Sequence, residues 1–301
     1  MKVRIGYGLG VRTKLNDGGF GQVVDALEAL RFDSLWFSER IGGEAPDPLV
    51  AMAFAAGRTT RLKLGTSVMV LPGRNPVVLA KELATLDRMS GGRLLPAFGL
   101  GVADPHEQQA FGVDRPARAK LFDEAIQVLR GCWAEGSLTH HGEHFHYDDL
   151  RVLPKPQQHH VDIWLGGIAP SELRRVGRIA DGWLPSFVTP EDAARGREAI
   201  EATLAEHGRT IEDDHYGAMI PYTLGPLPEA LLAGLAQRRP DLADPSILVP
   251  QGWDALMDTI DQFVAVGTSK FVILPIVEPA TPDEWVSHLE QAAPIVLPHQ
   301  T

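Results

Sequence analysis

Leu62-Lys-Leu-Gly-Thr-Ser-Val-Met-Val-Leu71, then Pro72-Gly-Arg-Asn-Pro76, and finally Gly91-Gly-Arg-Leu-Leu-Pro-Ala-Phe-Gly-Leu-Gly101 decide the reading of this chain. The stretch reads strand, loop, helix, turn, strand. Leu62 to Leu71 is a β-rich apolar run broken by Gly65-Thr66-Ser67. Asn75 and Pro76 open a helix, one as N-cap and the other at the first helical position. Leu79, Leu83, Leu86 and Met89 fall on one face of it. Gly91-Gly92 stops the helix, and Arg93 begins a second strand that ends in Phe98-Gly-Leu-Gly101. This is a right-handed βαβ crossover whose strands end in small residues. A parallel α/β protein opens its backbone to a ligand at such ends.

The same alternation runs along the whole chain. Strands are predicted at Val3–Leu9, Ser34–Ser38, Lys63–Val70, Leu94–Leu100, Ile163–Gly166, Gly182–Ser186, Tyr216–Tyr222 and Phe271–Ile276. Helical patterns lie between them at Phe20–Leu30, Pro48–Arg58, Pro76–Met89, Arg118–Trp133, Ser171–Ala180, Pro190–Glu206 and Trp253–Val266, and a last one at Asp283–Gln291. Eight βα units in roughly 250–300 residues is the arithmetic of an α/β fold, the (β/α)8 TIM barrel, with a doubly wound sheet as the alternative. No linker divides the 301 residues, so one domain over 1–301 is expected. Two segments are additions to a bare barrel. Ser137–Gln158 reads as a β-hairpin with a proline-rich return, and Leu224–Gln251 as a short helical excursion or lid. Pro96 cannot donate to a ladder, so a bulge or irregular pairing is expected in the fourth strand.

A net charge of −11 argues against nucleic acid or an anionic membrane as the main partner, since both need a basic face. The single cysteine, Cys132, allows no internal disulfide. The first ten residues lack the shape of a signal peptide, and no apolar run approaches the roughly 18 residues of a membrane helix. The expected setting is cytoplasmic, and the expected partner is a small-molecule substrate.

The strand ends supply Gly6-Tyr-Gly8, Ser38-Glu-Arg40, Thr66-Ser-Val68, Gly99-Leu-Gly101, Gly166-Gly-Ile168 and Ser186. The set is rich in glycine and poor in acids and bases. Each glycine taken singly is a turn. Taken together they offer backbone edges that suit a flat aromatic cofactor better than a hydrolytic triad. Trp164 to Glu172 reads as strand, glycine turn and helix start, and the amides from Gly167 to Ser171 are placed to attract a phosphate. His140, His141, His144 and His146 sit in the hairpin. Alternate residues of a strand face opposite ways, so no metal set is expected there. His106 follows the fourth strand and is placed to touch substrate. Glu39 and Arg40 read as a rim ion pair.

The chain resembles the bacterial-luciferase-like family of flavin and deazaflavin oxidoreductases. The matching pieces are Leu35-Trp-Phe-Ser-Glu39, Leu64-Gly-Thr-Ser-Val68, Asn75-Pro76 with Leu83-Ala-Thr-Leu-Asp87, Ser90-Gly-Gly-Arg93, Phe98-Gly-Leu-Gly101, Leu153-Pro-Lys-Pro156, Trp164-Leu-Gly-Gly167 and Ala180-Asp-Gly-Trp183. Their order spans nearly the whole length. Chain length and Gly-Thr-Ser-Val look most like the branch that uses the deazaflavin coenzyme F420. Larger members on the same fold use reduced FMN. The resemblance implies a cis peptide at Ser67-Val68 behind the cofactor ring, and a ring wall at Phe98, Gly99, Leu100 and Gly101. It implies a phosphate side at Gly166, Gly167 and Ile168, to which the helix start adds Ser171 and the strand ends add Gly8 as cofactor-binding residues. It places Glu39 at the acidic position that ends the second strand. The deazaflavin sugar-phosphate dehydrogenases carry histidine where this chain has Arg40, and glutamate where it has Val102. The resemblance therefore implies the fold and cofactor class and argues against sugar-phosphate oxidation.

The expected activity is hydride transfer between a deazaflavin and a small organic substrate. Glu39, Arg40 and His106 are the candidate catalytic residues, and Tyr7 or solvent is a further proton source. The alternatives are a monooxygenase fed with reduced FMN by a separate reductase, and a flavin-binding protein without turnover. A homodimer is expected by analogy with relatives. Substrate contacts are expected in Asp104–Arg115, Ser137–Asp149 and Leu224–Gln251.

Overall fold

The computed structural model describes residues 2–14 and 19–301. The elements run β1 (Arg4–Leu9), α1 (Gly19–Leu30), β2 (Ser34–Phe37), α2 (Pro48–Arg58), β3 (Lys63–Thr66), β4 (Met69–Val70), α3 (Pro76–Ser90), β5 (Leu94–Leu95), β6 (Ala97–Gly99), α4 (Pro105–Phe111) and α5 (Arg118–Trp133). They continue with β7 (Leu138–His141), β8 (His146–Leu150), β9 (Trp164–Leu165), α6 (Pro170–Ile179), β10 (Gly182–Trp183), α7 (Pro190–His207), β11 (Gly217–Tyr222), α8 (Glu229–Arg238), α9 (Trp253–Ala265), β12 (Lys270–Pro275) and α10 (Pro282–Val296).

Parallel pairing runs β11-β12-β1-β2-β3-β5 in one sheet and β10-β9-β6-β4 in the other. Bridges from Trp183 to Tyr216 and from Ser186 to Met219 join β10 to β11, and the wall closes as a TIM barrel with insertions. The third and fourth barrel strands are each in two pieces. The predicted strand Lys63–Val70 breaks at Ser67-Val68, whose peptide is cis, as the resemblance implies. The predicted strand Leu94–Leu100 breaks at Pro96 and ends at Gly99. Pro96 has no N–H to donate, but its carbonyl accepts from Trp164 N at 3.0 Å, so pairing resumes beyond it.

Small residues make room for large ones inside the barrel. Trp36, Ala97, Trp164, Leu184, Met219 and Val272 fill the lumen. A Cβ on Gly65 would lie 2.4 Å from the Trp36 ring, so glycine is required there. The larger core lies between strands and helices. At the N-terminal end of the barrel Lys270 Nζ meets Asp33 Oδ2 at 2.6 Å, with both side chains under a tenth exposed.

The predicted hairpin is present as β7 and β8. Glu124 of α5 anchors it, accepting from His144 N at 2.9 Å and Phe145 N at 2.8 Å. The excursion after β11 carries α8, which packs through Leu231 and Leu235 on a small cluster with Phe187 and Ile276. Helix α4 is an addition to the predicted elements. Asp104 caps it by accepting from His106 N at 2.9 Å. The last helix is longer than predicted, Pro282–Val296 in place of Asp283–Gln291, and holds Pro294 inside it. Among the described residues no helix is long and apolar enough to cross a membrane.

Candidate active site

The strand C-terminal ends form a mouth in which the Gly99 backbone meets the Val68 side chain. A Cβ on Gly99, at the end of β6, would lie 2.5 Å from Val68 Cγ2. Only glycine lets β6 approach Val68 this closely. Val68 itself packs on the lumen cluster. Ser38 Oγ, just past β2, donates to Ser67 O at 3.2 Å and ties the ends of two strands. Arg118 of α5 donates to Gly101 O at 2.9 Å and holds the Leu100-Gly101 turn. Ser67, Val68, Gly99, Leu100 and Gly101 therefore form one continuous wall. Gly8 lies in β1 on the lumen side, where a Cβ would be 3.1 Å from Val272 Cγ1.

The helix start after β9 is already occupied. Glu172 of α6 folds back and accepts from Ile168 N at 3.1 Å and Ala169 N at 3.0 Å. Gly167 has a φ of +90°, and a Cβ on it would lie 2.4 Å from Glu172 Oε2. Trp183 Nε1 donates to Gly167 O at 2.9 Å and fixes the turn. An arriving phosphate would meet the Glu172 carboxylate at two of the expected amides, and Ser171 is exposed beside them. Two of the amides are thus engaged by a carboxylate of the same chain. The site carries its own anion, and Arg118, whose pKa is lowered by burial and by Arg115, feels Glu172 as a countercharge.

Glu39 does not pair with Arg40, contrary to the expected rim ion pair. The Glu39 side chain is 4% exposed and forms its ion pair with Arg74. It also accepts from Val70 N at 2.6 Å, while Arg74 Nε donates to Val70 O at 2.9 Å. Burial raises the Glu39 carboxyl pKa against the opposing pull of Arg74 and Val70 N. Arg40 turns away to Asp104 at 3.7 Å. His106 lies exposed on α4, and no described side chain holds its ring in place. Tyr7 is fully buried behind the barrel wall, between Phe32 and Trp285. Its burial and its contact with Tyr222 push its pKa well up. Of the three side-chain proton sources read from the sequence, Glu39 is engaged by Arg74 and Val70 N, Tyr7 is buried behind the wall, and His106 is exposed just past β6.

Sequence reasoning missed Arg74, Glu278, Tyr222 and His288. Glu278 follows β12 and meets the end of β1, where Thr13 Oγ1 donates to its Oε1 at 2.7 Å. The hairpin histidines hold carboxylates, His140 to Glu124 at 3.1 Å and His141 to Asp148 at 2.7 Å. The group of His160, Asp162 and Asp181 lies at the opposite, N-terminal end of the barrel. There the Arg130 guanidinium stands 2.6 Å from Asp181 Oδ2 and takes the cation's place.

In a parallel (β/α)8 barrel such as this one, an active site lies at the C-terminal ends of the strands. The sequence model of the luciferase-like monooxygenase family matches residues 17–268, and the chain belongs to that family. It is 30% identical over 226 residues to a putative coenzyme F420-dependent oxidoreductase of Mycobacterium tuberculosis, covering 70% of this chain and 64% of the relative. It is also 30% identical over 226 residues to an F420-dependent glucose-6-phosphate dehydrogenase of Kineococcus radiotolerans, covering 68% of this chain and 66% of that one. The match thus spans just under two thirds of these relatives. A solved F420-dependent secondary alcohol dehydrogenase, in complex with an F420–acetone adduct, superposes over 100% of both chains with a TM-score of 0.81 at 20% identity.

Proposed function

We propose that the chain, as one TIM-barrel domain, binds a deazaflavin of the F420 class at the strand ends and transfers hydride to or from a small organic substrate. The observation that carries the reading is the contact of Val68 with Gly99, which leaves a flat wall of backbone and small side chains at the mouth. That cradle fits a planar fused ring, and a bulkier residue at Gly99 would fill it. The relatives named for F420 support the same cofactor class.

Ser67, Val68, Gly99, Leu100 and Gly101 would hold the ring. Gly166 to Ser171 would meet the phosphate side once Glu172 yields the amides of Ile168 and Ala169. When bound, the deazaflavin supplies a ring carbon that gives or takes a hydride. The chain's own work is to orient the ring, shield one face and exclude water. Titration of the apo-protein with oxidised deazaflavin and with FMN, followed by quenching of protein fluorescence, tests the reading. Tighter binding of the deazaflavin supports it, and binding of FMN alone overturns it.

The second reading is a monooxygenase supplied with reduced FMN by a separate reductase, which the family's own description favours. We further propose a homodimer acting in the cytoplasm. Val50 and Phe54 of α2 and Val78 and Met89 of α3 are exposed apolar side chains that a second copy would cover. Sedimentation equilibrium tests it, and a monomer at micromolar concentration overturns it.

A further inference from the structure

Two guanidinium groups stand at the mouth with little to neutralise them. The first is on the excursion after β11. Its helix α8 ends at Arg238, and Arg239 follows. Arg239 is 4% exposed and fastens the helix end to the loop beyond β10. Its Nη1 donates to Phe187 O at 3.0 Å and to Asp192 Oδ2 at 2.8 Å, and its Nη2 donates to Asp241 Oδ2 at 2.7 Å. Phe187 is held there at a φ of +56°, which a bulky residue rarely adopts. Arg238 is exposed to solvent and lays its guanidinium on the Phe187 ring, 4.4 Å from the centroid. Stacking holds the group in place and leaves its N–H donors to other partners. Among the described residues no carboxylate oxygen lies within 4.0 Å of Arg238.

Arg40 is the second group. It lies two positions past Ser38, whose hydroxyl donates to Ser67 O in the ring wall. The turn that carries it is tied to α4, because Ile41 N and Gly42 N donate to Glu107 at 3.2 and 3.1 Å. Its ion pair with Asp104 is long, at 3.7 Å, and the neighbouring Glu39 belongs to Arg74. The two cations act on each other. Partial desolvation and the Arg40 charge lower the Arg238 pKa, and no carboxylate opposes them. With Asp104 counted, the pair leaves one positive charge over at the mouth of a chain whose net charge is −11.

We propose that Arg40 and Arg238 clamp the carboxylate of a small organic acid, and that this monoanion is the substrate held over the ring wall. The inference rests on the hydride-transfer reading above and adds the class of substrate to it. A planar carboxylate matches the fork of a guanidinium and takes charge-assisted hydrogen bonds from both groups. The one charge left over suits a monoanion. The second charge of a phosphate dianion would face Asp104 without a partner. The clamp binds and orients; the carbon that gives or takes hydride lies elsewhere in the acid, brought to the ring by its anchored end.

Benzoate is the probe, with benzamide as its neutral counterpart of the same shape. Each is titrated calorimetrically into the protein, without and with saturating oxidised deazaflavin. Benzoate is expected to bind about tenfold tighter than benzamide, and to keep its affinity when deazaflavin is bound. Arg40→Gln and Arg238→Gln, both at solvent-accessible positions, are each expected to weaken benzoate about tenfold and to leave benzamide within about twofold. Inorganic phosphate is expected to displace benzoate only at roughly tenfold higher concentration. Equal affinity for benzoate and benzamide, or unchanged benzoate binding in either variant, overturns the proposal. Displacement of benzoate by deazaflavin overturns it too, since the pair would then serve the cofactor. Displacement by phosphate at equal or lower concentration overturns the choice of a carboxylate. A wild type that does not bind deazaflavin defeats the hydride-transfer reading instead, and the comparison of benzoate with benzamide still decides whether the clamp exists.

Discussion

The Glu39 carboxylate, which follows β2, is held by the Arg74 guanidinium from the loop before α3 and not by its neighbour Arg40. Together Glu39 and Arg74 grip both the N–H and the C=O of Val70. The pair thus pins the short strand that follows Ser67-Val68, next to the proposed ring wall.

Glu39→Gln is therefore expected to cost about 3 kcal/mol of stability in urea denaturation, since it leaves a half-buried guanidinium without its charge partner. Deazaflavin affinity should fall with it, while the pH profile of kcat keeps its shape. A reshaped profile at unchanged stability would make Glu39 a proton donor instead.

Glu172 competes with any phosphate for Ile168 N and Ala169 N. Glu172→Gln keeps the geometry and removes the like charge, so affinity for inorganic phosphate should rise by roughly threefold to tenfold. Isothermal titration in phosphate measures it. Equal or weaker binding in the variant would remove the β9–α6 turn from the cofactor site.

The neutral His288 gives the fold a pH dependence. Its folded pKa of about 4 lies below the ordinary histidine value, so the unfolded chain binds this proton more tightly. The site's contribution is full above about pH 6.5 and is lost as pH falls from there through about 4. Allowing for partial exposure, stability should drop by about 1 kcal/mol between pH 7 and 5 from this group. His288→Gln should flatten that slope in urea titrations at the two pH values, and an identical slope in the variant would refute the assignment.

The barrel was legible because its signals are local. Apolar runs of period 2 and 3.6, Asn75-Pro76 at a helix start and Gly91 at its end each act within a few residues. Even the break at Pro96 followed from one missing N–H. Partnerships across the mouth were not legible in the same way. Glu39 and Arg40 are neighbours in sequence, but successive side chains point apart in extended chain, and the true partner lies 35 positions on. Helix α4 was missed although Asp104-Pro105 carries the same cap-and-proline signal as Asn75-Pro76. Glu172, at the third position of its helix, is a cue that the amides before it are taken. His288 sits in an amphipathic helix that reads as ordinary core. Only the meeting of β1, β11 and α10 brings Tyr7, Tyr222 and His288 together.

The cofactor carries the account, and anaerobic single turnover tests it most directly. Enzyme is mixed with reduced deazaflavin or reduced FMN and with a panel of small hydride acceptors, and cofactor oxidation and product are followed in the absence of oxygen. Deazaflavin is expected to be oxidised with formation of reduced product in equal amount, with FMN inert. Product formed only with reduced FMN and only after oxygen is admitted, with deazaflavin inert, would contradict the hydride-transfer account and establish the monooxygenase.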